Sequence, residues 1–576
     1  MQKLARYLDF MLSSNLIMAS LFVFIGAILS VNLRYEIFFD LYNYHYFLPW
    51  AFFHDRTFTD IAMAIENSYH NPLIDMPVYF LVQYFNEQVW VYYTFFGIFW
   101  GLLMFVFYKL CRNVLRLNQK IELFLILMIS MTGFATLSQI GTSSGEVFLS
   151  LGTITTVYWL HKEIFITAKE RPYVIFCAGF LLGAMFGFKL TAVTYCLGAG
   201  LALILFFKYL QRPYKTIFCF ALGGIIGFLC IDGFWMWKLY QEFGNPLFPY
   251  LNNIFKSEYI DKTMFSYNSA LYEKSFLDYL IFPYLVLFNQ EERIAAEVFF
   301  RDPRFAIGYT LLLIAAGSYL VSWLKKQKYQ INIGIMFLLA FVVLSYLVWL
   351  FVLPVIRYAI PMELLGALLG VLYFSAIKPK QIFGFAVWCG LGIILLFALF
   401  SGLPYPVWSK RAGETQLIYK NDVHLPKNSL ILSLSAGTGA MAARIAENNP
   451  DVKFANMTAF FVMRGDKWTE KIEQYKKDSS YIAYMTVLKS PLKEFDYHTP
   501  TKYVLTEERL EGLLSNLKYV IQNYIGVDKF YCQDISKAPN HLIKVFLCID
   551  KKDKDMIFPS SQKSMMFNPY TETVAY

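Results

Sequence analysis

Between residues 34 and 75 the chain sets ionisable side chains among aromatics: Arg34, Glu36, Asp40, His45, His54, Asp55, Arg56, Asp60, Glu66, His70 and Asp75. Three of its seven histidines fall between 45 and 70. A carboxylate such as Asp40, placed where an apolar run ends amid Phe and Tyr, is desolvated and needs a partner or a function. It has the chemistry to deprotonate a hydroxyl acceptor or to hold a divalent cation. His45 can assist it or bind phosphate. The competing reading of NYHYFLPWAFF is an amphipathic interfacial helix, with Tyr and Trp in the headgroup layer. Pro49 bends any helix that begins at Leu41. In SYHNPLIDMPVYFL, 68–81, two Xaa-Pro steps interrupt a short apolar piece, and His70 is either an interface residue or faces substrate.

Further along, SQIGTSSGEVFLS (138–150) places Glu146 at a helix start, as a cap favoured by the helix dipole or as a second catalytic carboxylate. GFKLTAVTY puts Lys189 between two apolar runs, either snorkelling or binding a lipid phosphate. RDPRFAIGY carries Arg304 and LPVIRYAIPME carries Arg357 and Tyr358, both at helix boundaries. Arginines there clamp phosphate bidentately, or close a salt bridge such as Asp302 with Arg304 or Arg357.

The elements that must position these groups are membrane helices. The 576 residues are 57% hydrophobic and 16% charged, with a mean hydropathy of +0.43; soluble chains carry about 25% charged residues. Apolar runs near 16–33, 89–108, 121–138, 146–160, 172–188, 191–207, 215–235, 306–324, 331–353, 358–376 and 382–401 read as about eleven spans, since each can cross a core of about 30 Å. Lys and Arg gather at alternate ends, for example Lys3, Arg6, Lys109, Arg112, Lys162, Lys208, Arg212, Lys325 and Lys378. That side reads as cytoplasmic, so the net charge of +9 is a topology signal and not one for nucleic acid. The N-terminus is then cytoplasmic, with the first span kept as an anchor. The predicted organisation is a multipass domain over 1–402, outer loops over 34–88 and 236–305, and an extracytoplasmic α/β domain over 403–576. In that tail NSLILSLSAG reads as a strand, AMAARIAENN as a helix, TKYVLT and the run after it as strand and helix, and KFYCQDI with HLIKVFLCID as a hairpin. Cys532 and Cys548 lie on that hairpin and can pair if the tail is exported. The glycine run at 437–442 is a lone G-x-G-x-x-A, and no H-E-x-x-H or C-x-x-C occurs.

An Asp soon after the first membrane helix, in a long outer loop, resembles the GT-C superfamily of membrane glycosyltransferases. DLYNYHYFLPWAFFHDR with HNPLIDMPVYFL, then GFKLT, FGNPLFPYLN, RDPRFAIGY and IRYAIPME, is similar to an uncharacterised bacterial group placed near it, over about residues 1–400. The resemblance implies a multipass enzyme of the inner membrane that uses a polyprenyl-phosphate-linked sugar as donor and a glycan, lipid or protein as acceptor. By it Asp40 is base or metal ligand and Glu146 a second acidic residue. His45 and Glu146 are expected to shape the acceptor side, Lys189, Arg304 and Arg357 to bind the donor phosphate, and His70 and Tyr358 to line the substrate site. The first loop has no Asp-x-Asp or Glu-x-Asp pair, which leaves dependence on a divalent cation, Mg or Mn, open. The rival readings are a transporter or flippase of lipid-linked glycans, and a non-catalytic scaffold for envelope assembly. A transporter places polar residues at mid-bilayer in broken helices; here most span centres are apolar.

Overall fold

The computed structural model describes residues 14–34, 36, 38–115, 119–260, 275–288, 302–324, 332–352, 354–376, 416–458, 465–488, 530–535, 544–550, 565–567 and 574–575. The run 382–401, Arg301 and the strand and helix expected over 501–525 lie outside these residues, as do the side chains of Cys532 and Cys548. The chain divides into two compact units. One holds 1–36, 93–234 and 267–411; the other holds 37–92, 235–266 and 412–576.

The first unit is helical. Among the described residues five helices are long and apolar enough to cross a membrane: Asn15–Leu33, Val89–Val114, Pro213–Phe243, Ile333–Val352 and Ile356–Tyr373. Shorter apolar helices cover Pro172–Phe188, Leu190–Leu205 and Pro303–Ile314. Helix satisfies every backbone group internally, which an apolar surrounding demands. The described residues therefore do not give eleven full-length spans. The run 121–138 shows why: it breaks at Gly133, whose ψ of 142° ends one helix, Lys120–Met131, and starts another, Phe134–Ser138. Hydropathy is blind to such a break, because the residues on both sides stay apolar.

Two close crossings in this unit depend on glycine. A Cβ on Gly26 would strike the backbone of Gly97 and Gly101, and a Cβ on Gly183 would strike the carbonyl of Gly224. Gly179 and Gly227 meet the Phe220 and Phe180 carbonyls in the same way. Small residues four apart let helix backbones touch where no hydrophobic drive separates lipid from protein.

The second unit is built round a seven-stranded sheet: β1 (Ser429–Ser433), β2 (Lys453–Asn456), β3 (Tyr481–Leu488), β4 (Phe530–Asp534), β5 (Lys544–Asp550), β6 (Met565–Phe567) and β7 (Val574–Ala575). The order is β2-β1-β3-β5-β4-β6-β7. β1 runs parallel to β2 and β3, and the remaining pairs are antiparallel. Parallel neighbours need crossovers, here the helices Gly439–Asn448 and Asp466–Asp478. The β4–β5 register sets Cys532 opposite Cys548. At the other edge Ile61 adds a parallel bridge to Ala455, giving its N–H to Phe454 and taking one from Asn456. An open edge strand is thus covered by the segment before it in sequence. Ile61, Tyr69, Trp235, Phe243, Phe248, Leu430, Leu432 and Trp468 share one buried core. The loop 37–92 and the tail consequently form one hydrophobic unit.

Candidate functional site

Asp40 ends a single α-helical turn, Phe38–Asp40, and a π-helical turn follows over Leu41–His45. Tyr46 N–H reaches back five residues to the Leu41 carbonyl, at 3.4 Å. The α-helix resumes at Phe47. Pro49 gives a local reason: it lacks the N–H that would bond His45 and its ring crowds that carbonyl, and a widened turn just upstream relieves the crowding. The consequence is geometric. Residues five apart fall on different sides of an α-helix, and a π turn brings them towards one face. Asp40 and His45 stand in that relation, and both are buried.

His45 Nδ1 lies 2.6 Å from Asp75 Oδ1, with both side chains 2% exposed. Asp75 is set by a 3-10 turn, Pro72–Asp75, which Asn71 caps by accepting the Leu73 N–H at 3.0 Å. The second nitrogen of His45, Nε2, is buried without a hydrogen-bond partner among the described residues. The Tyr44 ring lies 4.1 Å from the His45 ring and meets His70 edge-on at 6.1 Å. His70 Nε2 is 2.9 Å from the Tyr250 hydroxyl. Tyr44 therefore joins the two histidines singled out in sequence. Asp75 was legible only as one of several acids, because nothing in the order of residues tells which carboxylate folds back on which histidine. Nearby in the same unit, burial pushes the carboxyl of Glu66 and the hydroxyl of Tyr69 up. Burial also raises Asp60, against two hydrogen bonds of 2.7 Å from Arg56.

The other expected residues belong to the first unit. Glu146 opens the helix Glu146–His161 after Gly145, whose φ is 80°. Its carboxylate pairs with Lys189, which also donates to the Ser144 carbonyl at 3.0 Å. Lys189 Nζ and Arg357 Cζ each lie 5.5 Å from the centre of the Tyr358 ring. The Tyr195 hydroxyl donates to the Tyr358 carbonyl. Arg304 turns to Asp302 and to the Thr132 carbonyl, at 2.7 Å; this is the salt bridge the sequence left open for it. Asp302 accepts the Phe134 N–H, and Glu363 accepts those of Ala135 and Thr136. Together they cap the short helix after the Gly133 break. Glu36 likewise accepts the Ser143 N–H at 3.2 Å and its hydroxyl at 2.9 Å. The structure thus groups Asp40, His45 and His70 in one unit and Glu146, Lys189, Arg304, Arg357 and Tyr358 in the other.

Among the described residues no three His, Cys, Asp or Glu side chains converge to hold a metal ion. At Asp40 the described residues bring no such ligand set together. The G-x-G-x-x-A run is a structural turn: Gly437, at a φ of 84°, donates its N–H to Asn43 Oδ1 at 3.0 Å, and a Cβ on Gly439 would strike the Asn43 carbonyl.

No protein-family model matches the chain, and no curated protein matches it. Among solved structures it is similar to the oligosaccharyltransferase of Archaeoglobus fulgidus, crystallised with zinc and sulfate. The TM-score is 0.45 at 12% identity, over 91% of this chain and 72% of that one. At that score the similarity decides neither fold nor activity.

Proposed function

We propose that this chain is a membrane glycosyltransferase. In this reading it moves a sugar from a polyprenyl-phosphate-linked donor to a glycan, lipid or protein acceptor at the outer face of a bacterial inner membrane. The observation that supports it is Asp40: a buried carboxylate soon after the first apolar span, at the head of a π turn that ends on a carboxylate-held imidazole. A positioned carboxylate beside a proton-accepting group activates a hydroxyl for attack on an anomeric carbon. Asp40 hydrogen-bonds the attacking hydroxyl and offsets positive charge developing on the sugar ring. Lys189 and Arg357, gathered on Tyr358, are the cations assigned to the donor phosphate. Arg304, bound to Asp302 and Thr132, is assigned to holding the Gly133 break.

The test is release of polyprenyl phosphate from a panel of radiolabelled lipid-linked sugars by purified wild type and Asp40→Asn. Release by wild type, reduced at least ~10²-fold in a folded variant, is the expected result. Equal release by both would remove Asp40 from the mechanism. No release from any donor would overturn the transferase reading in favour of transport or scaffolding.

A further inference from the structure

Resting on the transferase reading, we infer that the acceptor's proton ends on His45 Nε2, and that Asp75 is the residue that holds His45 ready to take it. The pair is fully enclosed, with each side chain 2% exposed and Nδ1 2.6 Å from Oδ1. A carboxylate at that distance fixes the proton on Nδ1, because an ionised carboxylate only accepts. The tautomer with Nδ1–H leaves Nε2 as a bare lone pair. That nitrogen has no hydrogen-bond partner among the described residues. A buried polar atom left open costs stability, and its persistence asks for a ligand or a function. The ring itself is held in place: Tyr44 packs on it, and the π turn ends at His45. Asp75 is fixed in turn by the Asn71-capped turn. The same π turn carries Asp40 towards His45's face, so the group that orients the hydroxyl and the group that receives its proton come from one turn of chain.

The step balances as follows. The acceptor O–H bond breaks and its proton goes to Nε2. The oxygen forms the new bond to the anomeric carbon. The bond from that carbon to the phosphate oxygen breaks, and its electron pair leaves with polyprenyl phosphate. His45 is left as an imidazolium against the Asp75 carboxylate, the charge pair that burial favours over a lone cation. Its proton is then lost as the product departs. Asp75 touches no reacting atom and is a positioning residue.

Two measurements on the full chain in nanodiscs decide it. The first needs no turnover: the 15N spectrum of histidine-labelled protein, with the His45 signals identified by their loss in His45→Gln. The expected spectrum shows protonated Nδ1 and bare Nε2 in wild type. In Asp75→Asn the amide can donate to Nδ1, and the proton moves to Nε2. A wild-type proton on Nε2 would overturn the inference. The second uses the radiolabelled lipid-linked sugar that wild type consumes. Folded His45→Ala should lose roughly 10²–10⁴-fold, and added imidazole, filling the vacated space, should restore part of the rate while leaving Asp40→Asn inactive. A folded His45→Ala that keeps its rate within about threefold, or loses it without imidazole rescue, sinks the proton-acceptor role and leaves the transferase reading standing. If wild type turns over no donor at all, the transferase reading falls, and the 15N spectrum still reports whether Asp75 fixes the ring.

Discussion

Arg304 and His45 each face a buried aspartate, one in each unit. Arg304 meets Asp302, spends a second nitrogen on the Thr132 carbonyl and hydroxyl, and so staples the chain across the Gly133 break. A guanidinium does not lose its proton at any pH a protein survives, so this pair can hold but not transfer. His45 meets Asp75 through one nitrogen and keeps the other open, and an imidazole, unlike a guanidinium, has a neutral form whose bare ring nitrogen accepts a proton. Two pairs that look alike in a list of buried charges thus have different capacities. What separates them is whether the cation can exist uncharged, since Arg304 too keeps one buried nitrogen, Nε, without a partner among the described residues. The contrast also sorts Glu36 and Glu363, whose carboxylates take backbone N–H groups of turns and so belong with the staples.

The largest effect is expected where a staple is cut. Arg304→Ala leaves the Asp302 carboxylate buried and uncompensated, at a cost of ~3–5 kcal/mol. Thermal unfolding in nanodiscs should show it, with much of the loss recovered in the Arg304→Met, Asp302→Asn double variant. A single variant of wild-type stability would erase the contrast, since Arg304 would then be no staple. Next comes packing in the same unit: Gly183→Leu drives a side chain into the Gly224 backbone and should cost about 1–3 kcal/mol while leaving the His45 nitrogen signals where they are. Movement of those signals would mean that the dyad answers to first-unit packing. Asn43→Ala sharpens the second half of the contrast. It frees the buried Gly437 N–H at about 1–3 kcal/mol, and it sits inside the π turn between Asp40 and His45. Stability and transfer rate should therefore fall together, and added imidazole should restore neither, unlike the rate of His45→Ala. The smallest effect belongs to an exposed pair. Lys467 and Glu258 lie 2.8 Å apart, 46% and 70% exposed, and the lysine's hydrogen bond holds the Glu258 carboxyl below its usual value. A depressed carboxyl adds stability above its unfolded pKa and loses it as pH falls through the folded one. Lys467→Ala should therefore leave neutral-pH melting unchanged within error and flatten only a slight acid limb.

The apolar runs and the strand patterns of the tail were readable because burial writes its period into residue type. NSLILSLSAG holds β1, and KFYCQDI and HLIKVFLCID hold β4 and β5. The break inside 121–138 was not readable, since it is enforced by Asp302 and Glu363 from far along the chain. The candidate residues were visible as types, but their partners were not. His45 and Asp75 are thirty residues apart, and the π turn that brings His45 towards the face of Asp40 is itself unmarked apart from Pro49. The spacing of Gly179, Gly183 and Gly187 was a signal for close helix crossing that a search for ionisable groups passes over.

Asn43 reaches Gly437 across 394 residues, and Ile61 meets Ala455 over a similar span. During synthesis at about 5–20 residues per second, the loop waits ~20–80 s before the strands that cover it exist. For that time Tyr69 and Ile61 have no tail to bury them. The order in which the ribosome releases this protein therefore delays burial of the loop until β2 and the helix that carries Trp468 have emerged.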